Sequence, residues 1–213
     1  MTLSRRGFVS VAALVLLVAP AEVWAGQPTD QLRTQIDRVV RVLEDPELKK
    51  ESKVKARRAA VRKIANDIFD FSETAKRSLA RHWPPRTPAE REEFIALFAD
   101  LLERSYISKI ELYGGEKIGY IGETVESDLA TVRTKLVTRQ QTEIPVDYRM
   151  MLKRGDRWLV YDIIIEGVSL IANYRVQFNK IITTSSYQEL VKRMKAKQEE
   201  FYEDERAKRT SQR

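Results

Sequence analysis

The feature that most constrains this chain is a change of hydrophobic period at Gly114-Gly115. Before it, Phe94, Leu97, Phe98, Leu101, Leu102, Tyr106, Ile110 and Tyr113 recur every three or four residues, the signature of a long helix with a wide apolar face. After it the period is two. Lys117–Val125, Ala130–Thr138, Ile144–Leu152 and Trp158–Glu166 read as strands, with Val146, Tyr148, Met150 and Leu152 alternating against Asp147 and Arg149. Ser127-Asp128, Gln140-Gln141-Thr142 and Arg154-Gly155-Asp156 supply the turns. Connections this short require antiparallel neighbours, so the spacing predicts a four-stranded meander. Helices on both sides of it in sequence make the class α+β, with the sheet curled.

The flanking helices carry their own start and stop signals. Residues 30–45 and 47–68 read as two amphipathic helices broken at Asp45-Pro46, the second with Val54, Val61, Ile64, Ala65 and Ile68 on one stripe. Asp70-Phe71-Ser72 opens a short helix that runs to about Trp83 and stops at Pro84-Pro85. Thr87-Pro88-Ala89-Glu90 has the residues of a capping box with proline at the first helical position. Gly167-Val168-Ser169 is read as opening a further helix, with Val168, Ile171, Arg175, Phe178, Ile181 and Ile182 on one side. Ser186-Tyr187-Gln188-Glu189 is a second capping-box pattern, starting a helix that fades into a charge-rich tail over 196–213.

Residues 1–25 read as an export signal. Ser4-Arg5-Arg6-Gly7-Phe8 is a basic opening, Val9–Val18 an apolar run, and Val23-Trp24-Ala25 a cleavage pattern. The run falls short of the about 20 apolar residues that span a bilayer. The paired arginines fit a twin-arginine signal as well as a general secretory one. Removing the signal leaves 26–195 as one domain with 196–213 as its appendage, and lowers the net charge from +7 to +6. Such a balance can attract anionic lipid surfaces or acidic partners, but the basic residues are interleaved with acids, which argues against nucleic acid. The chain has no cysteine, which excludes thiolate metal sites, thiol catalysis and disulfides.

Little in the chain points to catalysis. The single histidine, His82, has no nucleophile turn near it. Gly114, Gly115, Gly119 and Gly122 match neither a nucleotide fingerprint nor a P-loop. Asp147, Asp162 and Glu166 lie on the expected sheet. Of these Asp162 follows Tyr161 in a strand rich in Ile and Val, so it is a candidate inward acid for proton transfer. The simpler reading of it is a hydrogen-bonded structural acid.

Several motifs recur in a familiar order: Asp70-Phe71-x-x-x-Ala75, Ala80-Arg81-His82-Trp83, Phe94, Leu101-Leu102-x-x-x-Tyr106, Ile144-Pro145-Val146-Asp147-Tyr148-Arg149, Trp158-x-Val160-Tyr161-Asp162, Glu166-Gly167-Val168-Ser169 and Asn173-Tyr174-Arg175-x-x-Phe178. Over about residues 30–195 the chain resembles the Mla-type periplasmic phospholipid carriers, also called the toluene-tolerance auxiliary family of ABC transporters. It departs from them at Ala80, where a glycine is common, and in its longer charged tail. The resemblance implies a strongly curved antiparallel sheet with helices on its concave face and lipid tails in an apolar cavity between them. It implies a non-enzymatic, monomeric shuttle that needs no cofactor, with phospholipid as cargo. The implied protein partners are an outer-membrane lipoprotein complex and an inner-membrane ABC transporter bearing a lipid-channel domain. The implied role is maintenance of outer-membrane lipid asymmetry.

The residues suit such cargo. Two acyl tails of ordinary length gain on the order of 20 kcal/mol on leaving water, at about 0.8 kcal/mol per CH₂. The expected lining is Val132, Leu136, Val146, Tyr148, Met150, Val160, Ile163 and Ile165 from strands, and Phe94, Phe98, Leu101, Tyr106, Ile110, Ile171 and Phe178 from helices. No convergent set of Arg or Lys emerges that would select a head group. Two other readings stay open: an isomerase-like enzyme using Asp162 with a tyrosine on an apolar substrate, and an adaptor that docks a partner through residues 197–213.

Overall fold

The computed structural model describes residues 26–210. The expected signal, 1–25, lies outside the described residues, as do 211–213. The helices are α1 (Gln27–Glu44), α2 (Val54–Ile68), α3 (Phe71–Leu79), α4 (Pro88–Glu111), α5 (Leu170–Thr184) and α6 (Tyr187–Thr210). The strands are β1 (Lys117–Glu126), β2 (Leu129–Val137), β3 (Glu143–Lys153), β4 (Arg157–Ile165) and β5 (Val168–Ser169). They form one antiparallel sheet in sequence order.

Register assigns the two faces. Ala130, Val132, Thr134 and Leu136 of β2 stand opposite Met150, Tyr148, Val146 and Ile144 of β3. On β4 those β3 positions meet Val160, Ile163 and Ile165, and on β1 Leu136 and Thr134 meet Ile118 and Tyr120. These residues share one face, here termed inner. α1 and α2 cover one end of it: Leu32, Ile64 and Ile68 pack with Ala130, Val132, Met150, Trp158 and Val160, all buried. The Glu123 carboxylate, also on this face, accepts from the Thr29 N–H at 3.0 Å and the Thr29 hydroxyl at 2.5 Å. It thereby supplies at the start of α1 the cap that Gly26 lacks a side chain to provide.

The remaining helices form a second body. Ala75, Leu79, Phe94, Leu97, Phe98, Leu102, Ile171, Phe178, Tyr187, Leu190, Val191 and Met194 make one buried cluster across α3–α6. It abuts the edge of β4, where the Asp70 N–H donates to the Val160 carbonyl at 2.9 Å and the Thr74 hydroxyl to the Tyr161 carbonyl at 3.1 Å. α4 links this body to the first two helices. Its Ile107 packs with Leu43 and Val61, and Glu111 takes ion pairs from Arg57 and Arg58 at 3.1 and 3.0 Å. The capping box of α4 forms as its sequence predicts, the Glu90 N–H donating to Thr87 Oγ1 and the Thr87 N–H to the Glu90 carboxylate.

Several features differ from the sequence reading. The second helix starts at Val54 rather than at 47. The Asp45 carboxylate takes the N–H groups of Glu47 and Leu48 into a turn, and only Leu48 is apolar between there and Val54, so no stripe anchors a helix. Val168-Ser169 is a fifth strand, not the first turn of α5, and Val168 is 63% exposed instead of on an apolar helix side. Glu166 and Gly167, with φ of 50° and 80°, make a two-residue hairpin loop of the type whose twist suits antiparallel strands. At the second capping-box pattern only half the box forms. The Glu189 N–H donates to Ser186 Oγ, while the Glu189 side chain pairs with Arg193.

The Ala80 departure has a conformational cost. Ala80 ends α3 with φ 47° and ψ −117°, a region that glycine enters freely and a Cβ resists. Ala80→Gly is therefore expected to stabilise the fold by about 1 kcal/mol, relief of strain outweighing the added freedom of the unfolded chain. A thermal melt should show a rise of a few degrees.

Candidate functional site

The two apolar bodies do not close over the whole inner face. Ile118, Leu136, Ile144 and Val146 are each only partly buried, and Ile165 is 39% exposed. None of these five belongs to a packed cluster of the described residues. They form a continuous strip across β1–β4, beside the part that α1 and α2 cover. Tyr148 and Ile163 stand at the border, packed against the covered part on one side and partly accessible on the other. Tyr148 keeps accessible surface, yet burial alone pushes its hydroxyl up to about 12.

The residues expected to line a cavity separate into three groups. Phe94, Phe98, Ile171 and Phe178 are buried in the helical body. Phe98 meets the ring of Phe178 edge-on at 5.2 Å, and Phe94 meets it at 5.7 Å. Val132, Met150 and Val160 are buried beneath α1 and α2. The third group keeps accessible surface: Leu136, Val146, Tyr148, Ile163 and Ile165 on the sheet, and Leu101, Tyr106 and Ile110 on α4. Leu101 and Tyr106 rest against the helical cluster on one side, and Ile110 is 38% exposed. Burial and a hydrogen bond with Tyr174 hold the Tyr106 hydroxyl above the usual phenol range. Ile118, Ile144 and Tyr120 belong with the accessible group and were not among the expected residues. The signal for Ile118 and Tyr120 was the period-two pattern of β1, which a bulge between Tyr120 and Gly122 interrupts.

A separate cleft of about 140 Å³ opens between α1, the end of α2 and β3–β4, with Leu32, Ile68, Met150 and Trp158 in its wall. It lies well below the roughly 300–1,000 Å³ of ordinary small-molecule sites.

Asp162 is committed to structure. It is buried, and its carboxylate accepts from the Ser169 hydroxyl at 2.7 Å, the Ile171 N–H at 3.1 Å and Arg149 at 3.4 Å. It thus fastens β4 to β5 and to the first turn of α5, and register places it opposite Arg149, away from the inner face. Asp147 shares that outer face, and Glu166 stands in the hairpin turn. His82 ends its helical turn with Nε2 3.0 Å from Asn179 Oδ1. Among the described residues no cluster of His, Cys, Asp or Glu could hold a metal ion, and no helix is long and apolar enough to cross a membrane.

A curled antiparallel sheet with one apolar face half covered by helices, and with the buried acid Asp162 used as a strut, defines an α+β domain. The chain belongs to the MlaC protein family, which it matches over residues 33–196. Among solved structures it is similar to a phospholipid-binding protein from Ralstonia solanacearum, determined in complex with a phospholipid. That likeness has a TM-score of 0.69 at 24% identity and covers 80% of this chain and 96% of the other. It shows the fold.

Proposed function

We propose that this protein is a soluble periplasmic phospholipid carrier whose cargo tails lie between the bare inner-face strip and α4. The observation that carries the proposal is the strip itself, a run of partly exposed apolar residues on one sheet face that belongs to none of the packed clusters of the described residues. Family membership and the lipid held by the Ralstonia protein support it. Tails need area and dryness, not directed bonds, and Leu136, Val146, Ile163 and Ile165 offer that area without a charge among them. Admission of two tails requires the helices to part further from the sheet.

In this reading the protein carries lipid between an outer-membrane lipoprotein complex and an inner-membrane ABC transporter bearing a lipid-channel domain. The result is maintenance of outer-membrane lipid asymmetry and, with it, tolerance of solvents such as toluene. The signal over 1–25 delivers the chain to the periplasm and is cleaved there, and the carrier works as a monomer without a cofactor. The domain spans 26–195. α6 continues through that boundary, with Gln198 bonded to Asp100 at 3.0 Å and Arg104 stacked on Phe201.

The test is uptake. Protein stripped of lipid is incubated with vesicles of radiolabelled phosphatidylethanolamine and phosphatidylglycerol, then separated from them. Label should travel with the protein; protein that emerges unlabelled at every vesicle concentration would refute the proposal. The strip residues carry no charge, so the two head groups should be taken up within about threefold of each other. Strong enrichment of one class would show that a head-group site exists.

A further inference from the structure

The hydroxyl of the buried Tyr187 donates to the Glu90 carbonyl at 3.0 Å. Tyr120 has no such partner. Its hydroxyl is shut off from solvent, and among the described residues it is the one hydroxyl that is both buried and without a hydrogen-bond partner. Such a group costs free energy unless something meets it, and in native folds it calls for an explanation.

Its position supplies one. Tyr120 is on the inner face of β1, next to the bare residue Ile118 along its strand and opposite Thr134, whose own hydroxyl is already bonded to the Val146 carbonyl at 2.8 Å. Tyr148 lies on the same face one strand beyond. The Arg33 guanidinium sits 4.4 Å from the centre of the Tyr120 ring, and both Arg33 and Asp37 are exposed. The phenol therefore stands where the apolar strip meets a charged rim. A buried water needs two to four polar partners, and the packed neighbours on this face are mainly aliphatic.

We propose that the Tyr120 hydroxyl donates a hydrogen bond to an acyl ester carbonyl of the bound lipid, fixing how deep the tails enter. The inference rests on the carrier reading. An ester carbonyl is the polar group that joins an acyl tail to its backbone, at the depth where apolar surroundings give way to charge. It accepts and does not donate, which suits a phenol that burial and its neighbours hold protonated. Because the bond is made to the ester and not to the head group, it adds grip without head-group selection.

The test compares a diacyl phosphatidylcholine with its dialkyl ether analogue, each labelled, in protein–vesicle partition. The wild-type protein should favour the ester lipid by about tenfold, the worth of one neutral hydrogen bond made from a group otherwise unmet. Tyr120→Phe should bind both lipids equally and melt within a few degrees of wild type, since the free protein loses no bond. Wild-type protein that takes up both lipids alike would overturn the inference and leave the carrier reading standing. So would Tyr120→Phe that keeps the full preference. Wild-type protein that takes up neither lipid would overturn both.

Discussion

Val146→Asp is expected to empty the protein of lipid without unfolding it. Val146 stands at the middle of the bare strip, opposite Thr134 on one side and Ile165 on the other, and belongs to no packed cluster. A carboxylate there keeps its water while the slot is open. Tails that close over it must strip that water away, at an effective cost of several kcal/mol for an unpaired charge. Retention should fall by at least about a hundredfold, at about 1.4 kcal/mol per decade. The fold should melt within a few degrees of wild type, because the side chain is partly solvated before lipid arrives. Thr131→Asp, on the outer face of β2 opposite Arg149, is the control and should keep its lipid. Loss of lipid in both variants, or in neither, would remove the strip from the account. The readout is lipid phosphorus per chain after purification, with a thermal melt alongside.

Asp162→Ala is expected to have the largest effect on stability. It leaves the Ile171 N–H, in a residue only 2% exposed, without its acceptor, and frees Ser169 from the strand it fastens. An unmet buried donor plus the lost charge-assisted bond is worth about 3 kcal/mol, so the melting temperature should drop by about 10 °C. Asp162→Asn should cost less, about 1 kcal/mol. Its oxygen can still accept from Ile171 and its amide can donate to Ser169 Oγ. That variant should also retain lipid. Loss of lipid from a well-folded Asp162→Asn protein would mean the carboxylate does work in the slot that its outer-face position does not explain.

Asp162 shows how far the sequence could be read. Its strand, its neighbours and its choice between reagent and strut were visible; the hydroxyl and N–H that decide the choice come from β5 and α5, which only the fold brings near. The strands were legible because the alternation of Val146, Tyr148, Met150 and Leu152 is a local record of one buried face. β5 was not, because two residues carry no period and its signal is the left-handed pair Glu166-Gly167. The candidate slot was half legible. Apolar residues announce burial, so Phe94 and Val146 look alike in sequence. Whether burial is achieved by a neighbouring ring, as for Phe94, or left incomplete, as for Val146, depends on how two separate clusters meet. Tyr120 was missed because a bulge breaks its strand's pattern and because an unpartnered hydroxyl has no sequence signature.

The most direct test of the central claim is native mass spectrometry of the protein purified from the periplasm under gentle conditions. The account expects a dominant species heavier than the processed chain by the mass of one phospholipid, released as intact lipid on collisional activation. A chain that flies at its bare mass, from cells whose membranes are rich in phospholipid, would contradict it.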